Sequence, residues 1–502
     1  MPDPGHRQFS TADIVAGISV ALILIPQSLA YAGIAGVPAH VGLFAAALPT
    51  IAAAIFASSP YLQTGPVAMT ALLTFGALSV MATPFSPEYV ALAALLALVV
   101  GVMRVVIGMT RFGVIAYFMS RPVMIGFMTG ATILIAASQV PALLGVERGD
   151  DGLLAEAWLA FSDPSGWQLG SIVFGIAAVL VIEGARRINR RIPGVLVAVA
   201  GAILVSVLVG FDGMTVGEIP TGFPDFSLNL PWSSVVSLLI PGLVIALVGF
   251  TEAAAISTVF AAEDRSRWDP NREFVSQGMA NLASAISGGF PVGGSFSRSS
   301  VNRFAGARTR WSGAVAGIAV FLFFPVAGVL EPLPTAVLAA VVIVAVVRLV
   351  RPQEIIPIWR QSRLQGGVAT FTLLATLLLA PRIDVAVLLG IGASILVHLG
   401  RELKLTAEVE VDGDLLRIAP RGVIFFGSTH KLSNALLESL ADHPNTERLV
   451  VDLGGVGRID FTGGDALRAV VIHSRAAGLE VRFDNIPPHA ERIVRGVLDS
   501  LD

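Results

Sequence analysis

Long apolar runs separated by short polar or Gly/Pro-rich breaks fill residues 1–400. A bilayer core about 30 Å thick needs about 20 apolar residues per helix. A window of that length predicts fourteen spans, at 12–34, 38–57, 66–82, 88–109, 122–144, 167–183, 192–211, 235–261, 274–289, 296–307, 311–330, 335–350, 366–381 and 383–399. The third and tenth are short or polar where they begin. Beyond residue 400 the pattern changes to charged, alternating segments. It predicts strands over EVEVDGDLLRIAP (408–420), GVIFF (422–426), RLVVDL (448–453) and LEVRF (479–483), with helices near 430–442, from Gly463 and around 487–500. That order fits a small α/β or α+β domain over 401–502 beside a transmembrane domain over 1–400.

Composition supports a polytopic α-helical membrane protein. Of 502 residues, 54% are apolar and 14% charged, against about 25% charged in soluble domains, and the mean hydropathy is +0.78. A formal net charge of −3 gives no basic field for nucleic acid. The absence of cysteine excludes disulfides, thiolate metal sites and thiol catalysis. The N-terminal stretch MPDPGHRQFSTAD lacks the basic region and small-residue cleavage site of a signal peptide, so the first apolar run is expected to be a retained span.

Arginine clusters lie at Arg111–Arg121, Arg186–Arg191, Arg265–Arg272, Arg303–Arg310 and Arg348–Arg363. Loop 145–165 instead carries Glu147, Asp150, Asp151, Glu156 and Asp163 against Arg148, and loop 212–231 carries Asp212, Glu218 and Asp225. The alternation suits fourteen spans with both termini cytoplasmic. It requires 296–307 to cross at least half the membrane. An odd number of spans per half makes a seven-plus-seven arrangement inverted.

The third elements of the two halves match in kind: SSPYLQTGPVAMT (58–70) and GGFPVGGSFSRSSVNR (288–303). Each has a proline, a short extended run, a small-residue break and a helix start. Paired interruptions at corresponding positions point to a midplane site between repeats. Ser295 or Ser297 is the expected N-cap of one half-helix, and Pro66 is expected near the first helical position of the other, in Thr64-Gly65-Pro66-Val67-Ala68. Each N-terminus carries about half a positive charge. With Arg298 in the first turn beside Phe296, the pair favours an anion without any metal or cofactor. In the first span, LIPQSLAYAGIAGVPAH (24–40) places Pro26 mid-helix, with Gln27 and, four residues on, Tyr31 on one face. Glu252, in ALVGFTEAAAIS, is a carboxylate near the middle of the eighth span. Burying it charged costs ~3 kcal/mol or more, so it is a candidate proton-coupling group, with a static ion pair, Arg298 being one candidate partner, as the plainer alternative. Arg104 and Glu183 read as interface anchors, and His40 and His398 as span-end residues. The histidines form no metal-ligand pattern.

These motifs resemble those of the sulphate permease (SulP) family. PQSLAYAGIAGVPAHVGLF (26–44) is similar to the family signature, departing at Ala39 and Phe44. TGPVAMT (64–70) is similar to its third-span start, and GSFSRSSVNRFAGART (294–309) to its tenth-span motif, with Ser299-Ser300 where Thr-Ala is common. The resemblance implies a core domain of spans 1–4 and 8–11, a gate domain of spans 5–7 and 12–14, a C-terminal STAS domain and a homodimer. It implies an elevator-type alternating-access transporter whose substrate lies between the third and tenth half-helices. The residues carried over are Gln27, Tyr31, Gly65, Pro66, Val67, Ala68, Ser295, Phe296, Ser297 and Arg298 for substrate and Glu252 for the proton. A glutamate there resembles the proton-coupled members. RIDFTGGDAL (458–467) resembles the loop that carries a phosphorylatable residue in soluble STAS proteins; here Thr462 is read as architecture.

The expectation is secondary active symport of a small anion with a proton, the anion being a C4-dicarboxylate such as fumarate, or sulphate. No nucleophile–base pair or nucleotide loop suggests an enzyme. The rivals are sodium-coupled or exchanging transport of bicarbonate or another anion, a nucleobase–proton symporter of the same fold, a passive anion channel, and a sensor signalling through the C-terminal domain.

Overall fold

The computed structural model describes residues 8–499 except 148, 150, 151, 190, 191, 221, 225, 227, 348–351 and 404. Arg148, Asp150, Asp151, Arg191, Asp225 and Arg348 therefore lie outside the described residues, as do residues 1–7 of the N-terminal stretch. The chain divides into two compact units, Met1–Ile391 and Gly392–Asp502.

The first unit opens with α1 (Thr11–Ala35) and α2 (Ala39–Phe56), then a short strand β1 (Gln63–Gly65) and α3 (Ala68–Leu78). There follow α4 (Pro87–Met109), α5 (Arg121–Ser138), α6 (Val140–Leu144), α7 (Leu153–Ser162), α8 (Leu169–Ile188) and α9 (Gly194–Val209). α10 (Val235–Glu263) and α11 (Pro270–Ile286) lead to the second strand, β2 (Gly293–Ser295), and α12 (Phe296–Phe304). Last come α13 (Trp311–Phe323), α14 (Thr335–Val347), α15 (Ile355–Gln361), α16 (Arg363–Leu378) and α17 (Ile383–Glu402), within which the two units divide.

Each apolar segment read from the sequence falls on a helix, and among the described residues eight helical segments are long and apolar enough to cross a membrane by length and composition. Two differences in where a helix starts bear on the site. α11 begins at Pro270 rather than 274, because Asp269 caps it by accepting the N–H groups of Asn271 (2.9 Å) and Arg272 (3.3 Å). α3 begins at Ala68, so Pro66 precedes the N-cap Val67 instead of opening the helix. Pairing of residues 63–65 as a strand keeps the chain extended there, as the residue before a proline prefers.

The helices pack in two groups. α4 lies along α11 and α10, α2 along α13 and α11, and α1 along α13, α2 and α3. In the second group α5 lies along α16, and α8 along α9 and α14. α1 reaches across to α14 and α9.

The second unit carries β3 (Thr406–Asp412), β4 (Leu415–Ile424), α18 (Thr429–Asp442), β5 (Arg448–Asp452), β6 (Val456–Ile459), α19 (Phe461–Ala476), β7 (Glu480–Asp484) and α20 (Glu491–Asp499). The sheet order is β3-β4-β5-β7 with β6 also on β4; β3 is antiparallel to β4 and the remaining pairs are parallel. Sequence reading split β4 at Pro420 and passed over β6. An irregularity between Gly422 and Val423 lets one long strand leave β5 and pair with β6, which is only four residues long. Leu416 and Ile418 alternate inward on β4 to meet Leu432 and Leu436 of α18 and Leu467 and Val470 of α19. Asp452 fastens strand ends by accepting from Arg417 (2.5 Å), Asn485 (2.9 Å) and the Gly454 N–H (3.0 Å). Burial pushes its carboxyl up, but those bonds outweigh burial and hold it below the ordinary aspartate value.

Candidate anion site

The two interrupted segments meet. β1 and β2 pair antiparallel, with Gln63 opposite Ser295, Thr64 opposite Gly294 and Gly65 opposite Gly293. Small residues are needed for this ribbon to lie on α10. A Cβ at Gly294 would stand 3.0 Å from the Ala253 Cβ, next to Glu252, and 2.9 Å from a Leu62 methyl. Side chains satisfy the backbone that the broken helices free. Thr50 donates to the Thr64 carbonyl (2.7 Å), Ser299 accepts the Gln63 N–H (2.9 Å), and Asn281 pairs with both polar groups of Val292. Gln277 donates to the Thr64 hydroxyl at 2.6 Å.

Each strand runs into a short helix. α3 has 11 residues and α12 has 9, about 16 and 14 Å at 1.5 Å per residue, so each is about half a bilayer long. Ser295 is the N-cap of α12, its hydroxyl accepting the Arg298 N–H at 3.4 Å. The other first-turn N–H groups of both helices have no intrahelical acceptor.

Arg298 joins the two arms. It is fully buried, and its Nη1 donates to Gln27 Oε1 on α1 at 3.1 Å. Its Nε and Nη2 have no hydrogen-bond partner. A Cβ on Gly65 would stand 3.5 Å from Nη2, an ordinary contact distance, so the guanidinium lies against the backbone of the first arm. Tyr31, Glu252 and Arg298 lie within electrostatic range of one another. Glu252 is half-buried, and among the described residues it forms no salt bridge with Arg298.

The structure thus gathers Gln27, Tyr31, Gly65, Glu252, Ser295 and Arg298, with Pro66, Val67 and Ala68 buried at the start of α3. Phe296 and Ser297 differ: both are exposed, and the Phe296 ring stacks on Phe260 at 6.5 Å. A guanidinium with two unpartnered nitrogens beside two helix N-termini can take up a small anion through N–H groups alone. Among the described residues, no group of three His, Cys, Asp or Glu is placed to hold a metal.

Sequence reasoning missed the support behind this site. Glu273, Ser276, Gln277, Asn281 and Ser284 are buried along one face of α11. Their i, i+3, i+4 spacing was legible as a polar stripe facing protein. Arg104, expected as an interface anchor, is instead fully buried. Its position near the end of α4, which closes at Met109, misled the reading.

Two interrupted helices thus meet at a basic centre within a unit of long apolar helices, and a mixed-sheet unit follows in the chain. The model of the sulfate permease family matches residues 11–372 and that of the STAS domain residues 406–497. The chain belongs to the sulfate permease family and carries a C-terminal STAS domain. It is 32% identical over 401 residues to the chloroplastic sulfate transporter 4.1 of Arabidopsis thaliana, covering 77% of this chain and 58% of that protein. It is 32% identical over 374 residues to a probable sulfate transporter of Mycobacterium tuberculosis, covering 73% of this chain and 66% of that one. The matched part therefore spans about three-fifths to two-thirds of those relatives. The fold is that of the murine solute carrier Slc26a9, an anion transporter solved in the inward-facing state, with a TM-score of 0.88 at 19% identity over 99% of this chain and 88% of that one.

Proposed function

We propose that the protein is a proton-coupled symporter of a small dianion, sulfate or a C4-dicarboxylate such as fumarate. The observation that carries this reading is the buried Arg298 guanidinium, with two unpartnered nitrogens between the N-termini of α3 and α12. The anion binds there, lined by Gln27, Tyr31, Gly65 to Ala68 and Ser295 to Arg298, and Glu252 carries the proton. One fixed positive charge against a dianion and a nearby carboxylate favours taking up a proton with the substrate. Relatives named as sulfate transporters support the oxyanion class.

In this reading α1–α4 and α10–α13 form a core that moves as an elevator against a gate of the remaining helices. The segregation of packing partners into those two groups supports it. The fourteen crossings, the 1–400 and 401–502 division, a homodimer and placement in the cell membrane with both termini and the STAS domain cytoplasmic belong to the same proposal. Arg298→Ala tests it. Affinity for sulfate or fumarate, measured by ligand-induced thermal stabilisation of the purified protein, is expected to fall roughly 10- to 100-fold with the loss of charge-assisted bonds. Wild-type affinity in the variant would return Arg298 to a packing role.

A further inference from the structure

A second buried arginine stands behind the anion site and has no role in it so far. Arg104 on α4 is fully buried. Its Nε donates to the Ala246 carbonyl (3.2 Å), its Nη2 to the Ile245 carbonyl (3.0 Å) and its Nη1 to the Val292 carbonyl (2.9 Å). Among the described residues no carboxylate pairs with it. Ile245 and Ala246 lie on α10 within two turns of Glu252. Val292 ends the loop into β2, three residues before the N-cap Ser295.

Two further groups complete the arrangement. Asn281 of α11 holds the opposite side of the same residue, donating to the Val292 carbonyl (3.1 Å) and accepting its N–H (3.0 Å). Gly249 on α10 leaves room for the guanidinium: a Cβ there would stand 2.5 Å from Nη2 and 3.1 Å from the Thr70 methyl of α3. A cation buried with carbonyl partners alone costs more than an apolar side chain of similar length, so filling space does not account for it. What the planar fork supplies, and a lysine does not, is three donors in fixed directions.

We infer that Arg104 is a positioning residue for the anion site: it ties the extended arm that carries Ser295–Arg298 to the stretch of α10 that carries Glu252. Three extended residue steps, about 10 Å, lead from Val292 to Ser295, so Arg104 acts through the arm and does not touch the anion. Its carbonyls come from the elements that hold the two charged groups of the site, so loosening it changes their spacing before it unfolds either element. The inference rests on the anion-site reading above.

The test compares full-length wild type, Arg104→Lys and Gly249→Ala in proteoliposomes, with sulfate, fumarate and bicarbonate as probes. KM and maximal rate are measured for the anion the wild type takes up, together with the unfolding temperature without anion. Arg104→Lys keeps the charge and loses the fork; KM is expected to rise about tenfold or more, as misplaced binding groups do, while the maximal rate changes little. Gly249→Ala keeps the arginine but displaces it from Ile245, and is expected to raise KM severalfold. Unchanged KM in both variants, or a lower unfolding temperature and maximal rate at wild-type KM, would overturn the inference and leave Arg104 a structural residue. If Arg104→Lys does not fold, wild-type KM in Gly249→Ala overturns it alone. A wild type that takes up none of the three anions overturns the anion reading and this inference together.

Discussion

In the proposed mechanism Arg298 binds the anion and Glu252 carries the proton, and their environments differ in a way that suits separate roles. Arg298 is sealed from solvent and held by Gln27, whereas Glu252 is half-buried and has no ion-pair partner in Arg298. A carboxylate that is near a cation yet unpaired can exchange a proton as the site opens and closes. Glu252→Gln is therefore expected to reduce uptake driven by an inward proton gradient to its gradient-free level, while anion binding and exchange persist in part. Uptake and counterflow in the same vesicles check this, and unchanged proton dependence in the variant would remove the coupling role. Ser295 was legible as a cap because a serine before a polar first turn has a backbone N–H to accept. Arg104 was not legible, because its partners are carbonyls and a carbonyl leaves no mark in a sequence.

At the scale of elements, the β1–β2 ribbon brings two distant interruptions to one point. Gly293 and Gly294 are there for contact, whereas Gly65 has room for a Cβ but a φ of +159°. Gly294→Val would drive its side chain into Ala253 of α10, destabilising the core by about 1–3 kcal/mol. A lower unfolding temperature together with weakened anion binding is expected; a variant with wild-type values for both would show that the ribbon has slack. The paired Gly/Pro breaks were visible in the sequence, but their antiparallel register was not, since strands of three residues carry no periodicity to read. The same shortness hid β6, and a strand that changes partners midway hid the continuity of β4. α11 was readable as a helix, though its buried polar face made its start ambiguous to a hydropathy window. Glu273 illustrates this. It lies in the first turn of α11, fully buried, and accepts the N–H groups of Ser58 (3.1 Å) and Ser59 (2.9 Å) at the approach to β1.

For the whole molecule, membrane-span hydropathy and three motifs in order were enough to indicate the family, because each motif records a demand of the same site. The anion and its coupling ion are less visible, since helix N-termini and one guanidinium accept sulfate, dicarboxylates and bicarbonate by the same N–H chemistry. The proposal is that a small anion bound between α3 and α12 is accumulated with a proton. It is tested most directly by radiolabelled sulfate, fumarate and bicarbonate uptake into proteoliposomes of the full-length protein, with and without an inward proton gradient. Gradient-stimulated accumulation of sulfate or fumarate above the level of equilibration is expected. Downhill flux that is indifferent to the gradient, or accumulation of bicarbonate driven by sodium, would contradict it.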